Sequence, residues 1–100
     1  MMFKDGVEIA GLRAEALVGL VTCNEIYRQH GYSCVVTSIT DGRHSRGSLH
    51  YVGLAFDLRT RHIPPSSQIL VKKDIQDALT HEFDVVLEKD HLHIEFQPKG

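Results

Sequence analysis

The sequence predicts an α+β domain in which two helices pack on a small, mostly antiparallel sheet. Three observations point there. One long stretch near the N-terminus carries apolar residues at helical spacing. Four short β-rich runs follow it, at 33–38, 53–59, 83–88 and 91–96. The last two of those runs are separated by only two residues, the arrangement of an antiparallel hairpin.

The first helix is expected over Leu12 to His30. Leu12, Ala16, Leu17, Leu20, Val21, Cys23 or Asn24, and Tyr27 form its apolar stripe, and Gly31 is a natural C-terminal stop. Ser33 to Ser38 (SCVVTS) reads as a strand and Asp41 to Gly47 as a loop opened by Asp-Gly. Gly53 to Arg59 alternates Leu54, Phe56 and Leu58 against Ala55, Asp57 and Arg59, a strand with one apolar and one polar face. Pro64 to Ser67 reads as a turn or loop. Ser67 to His81 suggests a second helix, with Ile69, Leu70, Lys73, Ile75 and Leu79 partly periodic. Phe83 to Glu88 and His91 to Phe96 are the hairpin strands, with Lys89 and Asp90 between them.

The chain has 100 residues, of which 42% are hydrophobic, enough for one compact domain with its own core. A net charge of -2 argues against a general nucleic-acid binder, which carries a basic surplus. The N-terminus, MMFKDGVEIAGLR, holds no apolar stretch of signal-peptide length, and no apolar run could span a membrane. The expectation is a protein made in the cytoplasm, without nucleic-acid or membrane partners, acting as a monomer. Cys23 and Cys34 form no CxxC pair, so a cysteine zinc site is not expected; two buried, reduced thiols are.

Seven histidines are many for this length, and histidine is the commonest metal ligand. His91, His93 and Glu95 are spaced by two, so a strand projects them from one face. Such a polar wall suits a metal or proton transfer; a solvated strand face is the simpler alternative. Asp57 lies on the polar face of its own strand beside the small Ala55, and Gly53 allows a tight backbone approach or an unusual dihedral angle. His50 comes just before that strand. A catalytic zinc needs three protein ligands and one open position for water, and His, Asp and His suit it. The metal lowers the pKa of its water toward ~7 and polarises a carbonyl, while a carboxylate must take the water's proton and pass it to the leaving amine. Asp90, three residues before His93, is the local candidate for that base, and His91 for a supporting hydrogen-bond donor.

The pattern S-x-H-x-x-G-x-A-x-D over Ser48 to Asp57, followed by a late acid-x-x-H over Asp90 to His93, resembles the zinc D-alanyl-D-alanine carboxypeptidase family. That family includes phage L-alanyl-D-glutamate endolysins and vancomycin-resistance D,D-dipeptidases, and the Hedgehog signalling domain shares its fold. The resemblance runs from about Thr37 to Phe96. It implies zinc held by His50, Asp57 and His93, with Asp90 as the catalytic base and His91 as a second catalytic residue. It also implies peptidoglycan stem peptides as substrate, with Ser48 supporting the site. Larger members carry an arginine that binds substrate or an oxyanion where this chain has Thr37-Ser38-Ile39-Thr40; Arg43 or His44 in the following loop is the expected replacement as a substrate-binding residue, with Ser48. A lysin released by a holin, or carried on a virion, would suit a chain with no signal peptide. The rival readings are a non-enzymatic zinc-bearing phage module on this scaffold, and a zinc-free binding module.

Overall fold

The structure is a computed structural model and describes residues 1–40 and 53–97. Helix α1 spans Ala14–Gln29 and α2 spans Pro65–Leu79. The strands are β1 (Met2–Phe3), β2 (Val35–Thr40), β3 (Ala55–Arg59), β4 (Phe83–Leu87) and β5 (His91–Phe96). They form one sheet in the order β1-β2-β3-β5-β4, with every pairing antiparallel except β1 with β2. Two helices on a mostly antiparallel sheet is the predicted α+β class.

Period-2 alternation puts Phe56 and Leu58 of β3 and Leu92 and Ile94 of β5 on the helix side, all fully buried. Helix α1 meets them with Ala16, Leu20, Cys23 and Tyr27, and α2 with Val71, Ile75 and Leu79. These are seams of i, i+3 or i+4 spacing. Gly19 completes the α1 seam: a Cβ there would lie 2.7 Å from the ring of Phe83.

The buried stripes differ from the expected ones. Leu17 and Val21 of α1, and Ile69 and Leu70 of α2, are exposed, while Ile26 and Val71 are buried. A stripe is about 100° wide, and each helix offered two neighbouring apolar rows. The sheet covers the row holding the small residues Ala16 and Gly19, which let the helix approach closely. The Pro64 to Ser67 segment is also not a loop throughout, because α2 begins at Pro65 with Pro64 as its N-cap. Proline suits a first helical turn because its missing N–H would have had no helical partner. Gly31 ends α1 as expected, with φ at 86°. Strand β2 starts two residues later than expected, and the short β1 was not expected; its N–H of Met2 donates to the carbonyl of Cys34.

Candidate metal and acid–base site

The face of the sheet away from the helices carries the site. Strand register places Asp57 directly opposite His93, Arg59 opposite His91 and Ala55 opposite Glu95. The polar residues of two different strands therefore stand side by side. The N–H of Thr60 continues this ladder by donating to the carbonyl of Asp90 at 3.2 Å, which ties the hairpin turn to the end of β3. The turn itself closes where Glu88 N–H donates to the carbonyl of His91.

Carboxylates and imidazoles alternate along this face. Asp90 Oδ1 lies 2.8 Å from His91 Nδ1, and His91 Nε2 lies 3.8 Å from Asp57 Oδ2. Asp57 Oδ1 is 2.7 Å from His93 Nδ1, and His93 Nε2 is 3.0 Å from Glu95 Oε1. Side-chain exposure falls along the row from 73% at Asp90 through 26% and 14% to 6% at both His93 and Glu95. One end thus meets solvent and the other lies within the protein. Glu95 and His93 are not on a solvated strand face; burying them is tolerable because each has a charged or polar partner. The hydrogen bond from His91 holds the Asp90 carboxyl below its ordinary range.

His93 is the informative residue. A neutral imidazole carries one N–H. It can donate to Asp57 or to Glu95, not to both. When Nε2 donates to Glu95, Nδ1 turns a lone pair toward the Asp57 carboxylate, so two acceptors face each other. A second proton on the ring, or a cation beside Nδ1 and Oδ1, removes that conflict. The donors are also of the kind zinc accepts, an imidazole nitrogen and a carboxylate oxygen. Tetrahedral ligands about 2.1 Å from an ion stand about 3.4 Å apart, so only a small parting of the two side chains would be needed. Glu95 on the far nitrogen is the partner that fixes tautomer and ring orientation in metal-bound histidines.

Among the described residues, no three His, Cys, Asp or Glu side chains converge as a metal site. Of the three expected ligands, Asp57 and His93 lie side by side among the described residues. The third, His50, lies outside the described residues, as do Arg43, His44 and Ser48. Asp90 and His91 are brought to the same cleft as Asp57, a concavity of about 260 Å³. The same cleft is lined by Lys4, Arg59 and Arg61, which the sequence reading did not single out. Arg59 was within its reach, two residues beyond Asp57 on the same polar face. Nothing in the local sequence marks Lys4 or Arg61.

Gly53, the glycine of the motif, has φ at 74°, and a Cβ there would run into the carbonyl oxygen of Gly11. Its own carbonyl accepts from Arg13 N–H at 3.0 Å. The entry to β3 is thereby fastened to the start of α1. The remaining described histidines are away from the cleft. His30 Nε2 meets Asp74 Oδ2 at 2.7 Å between the helices, and His62 Nε2 donates to the carbonyl of Ser33.

Compared with protein-family models, with curated proteins and with solved structures, the chain matches none. Among the described residues, no helix is long and apolar enough to cross a membrane.

Proposed function

We propose that this chain is a zinc peptidase that hydrolyses a peptide bond of bacterial peptidoglycan stem peptides. The observation that carries the reading is the pairing of Asp57 Oδ1 with His93 Nδ1 while Glu95 occupies the other nitrogen of the ring. His50 is proposed as the third ligand on the strength of its motif.

A zinc ion held by these residues would supply an acidified water and a polarised substrate carbonyl. The protein's own groups do the rest. Asp90, like any exposed carboxyl, is ionised near neutral pH, as a base must be, and the hydrogen bond from His91 lowers its pKa further. It takes a proton from the attacking water and returns it to the leaving amine nitrogen. His91 Nδ1 keeps the Asp90 carboxylate in place. Its Nε2, 3.8 Å from Asp57 Oδ2, can donate to the carbonyl oxygen as charge develops there only when the ring carries both protons, because Nδ1 already donates to Asp90.

The test is elemental analysis of the purified protein, with mass spectrometry of peptidoglycan digested with and without chelator. One zinc per chain and chelator-sensitive release of muropeptides are expected. Asp90→Ala should keep the zinc and lose cleavage by at least about a hundredfold, the usual worth of a general base. Zinc without any cleavage would favour a binding module, and full cleavage by Asp90→Ala would remove Asp90 from its role.

A further inference from the structure

Three cations share the cleft with Asp57, Asp90 and His91, namely Lys4, Arg59 and Arg61. Lys4 follows the end of β1, Arg59 ends β3, and Arg61 lies just beyond it. Two carboxylates line the same concavity, yet none of the three cations forms an ion pair or a side-chain hydrogen bond among the described residues. Among the described residues, Arg59 and Arg61 therefore keep donors that a molecule entering this cleft could use. A guanidinium is weakly hydrated and binds a carboxylate by two parallel hydrogen bonds. Strand geometry adds a distance. Arg59 is two residues from Asp57 on the same face, which is about 6.6 Å along the strand. An α-carboxylate on the leaving residue lies within about 3.6 Å of the scissile carbonyl carbon, so the Arg59 side chain would span the rest.

We infer that Arg59 and Arg61, helped by Lys4, bind an α-carboxylate on the substrate residue that carries the leaving amine. This rests on the peptidase reading above and narrows its substrate. It also moves the anion-reading role from Arg43 or His44 to cations that line the cleft. Both bonds open to a stem-peptide hydrolase present this group. In D-Ala-D-Ala it is the terminal carboxylate, and in L-Ala-γ-linked D-Glu it is the free α-carboxylate of the glutamate. A stem peptide whose glutamate is α-amidated, or whose terminus is amidated, would lose it.

The experiment measures binding of two synthetic dipeptides, D-Ala-D-Ala and L-Ala-D-Glu, each as free α-carboxylate and as α-amide, to the zinc-loaded wild type, Arg59→Gln and Arg61→Gln. Titration calorimetry needs no turnover. The wild type should bind one carboxylate form about tenfold or more tighter than its amide. Both variants should lose most of that preference while keeping the amide affinity and the zinc content. Arg61 is exposed, so Arg61→Gln tests the role without risk to folding. Which dipeptide shows the preference identifies the bond. Equal binding of carboxylate and amide by the wild type, or an unchanged preference in both variants, would overturn the inference. Carboxylate preference without hydrolysis of either dipeptide or of peptidoglycan would keep Arg59 and Arg61 as a carboxylate-binding pair and overturn both the peptidase and the leaving-residue assignment.

Discussion

At the scale of single residues, burial separates His93 and Glu95 from the other polar groups of the sheet face. Each has a polar partner, so burial does not leave a bare donor or charge. Thr60 is the contrast. It is fully buried, and its hydroxyl is the one buried side-chain polar atom among the described residues that lacks a hydrogen-bond partner. A buried hydroxyl without a partner costs about 1–3 kcal/mol. Thr60→Val keeps the shape and removes the hydroxyl. It should raise stability by about 1 kcal/mol, or about 4–8 °C in Tm for a domain of this size. A lower melting temperature would show that the hydroxyl has a use. Gln68 is the neighbour to leave alone, because its amide donates to the carbonyls of both Thr60 and Ile63.

At the scale of elements, the site depends on how β3 begins and what it pairs with. Gly53 turns with a positive φ that L side chains rarely adopt, against a backbone carbonyl that leaves no room for a Cβ. Gly53→Ala combines strain with a backbone clash, so it should cost about 2 kcal/mol or more in denaturant unfolding. An unchanged midpoint would mean that the β3 entry relaxes freely, and Asp57 would then not be held as described. The hairpin matters equally. It sets His93 opposite Asp57, and a slip of one residue would send His91, His93 and Glu95 to the helix side. Leu92 and Ile94 prevent the slip, because both are fully buried in the core.

At the scale of the whole molecule, both cysteines lie in the core between the helices and the sheet, as free thiols. Burial pushes the Cys34 thiol up to about 12 from an ordinary value of 9.0. Burial, with a smaller contribution from Cys34, pushes Cys23 higher still. The folded protein thus keeps protons that the unfolded chain releases above about pH 9. This contribution is fully present below pH 9 and is lost as pH rises toward 12. Stability should be flat in this respect up to pH 9 and then fall by up to about 1.4 kcal/mol per pH unit for each thiol. Denaturant unfolding at pH 8, 10 and 11 checks it, together with slow labelling of both thiols by an alkylating reagent in the native state. Equal stability at pH 8 and pH 11 would mean that the thiols ionise in the folded protein.

The sequence by itself determined the two helices, the four longer strands and the faces of β3 and β5, though not the short β1 or the start of α2. Period-2 alternation in Ala55–Arg59 and His91–Phe96 is a local property, and it separated Phe56 and Leu58 from Asp57 on one strand and set His91, His93 and Glu95 on one face of the other. Gly31 and Gly53 were legible for the same reason, since backbone freedom belongs to the residue. The helix stripes were only half legible. Leu17 and Val21 compete with Cys23 and Ile26 on hydrophobicity alone, and the choice between rows is made by what the helix packs against. Only the tertiary structure decided that Asp57 meets His93, that Glu95 is buried behind that ring, and that Lys4, Arg59 and Arg61 enter the same cleft as Asp90. Those are relations between segments far apart in the chain. They follow from strand register and from which surfaces the core excludes from water, and no local spacing encodes either one.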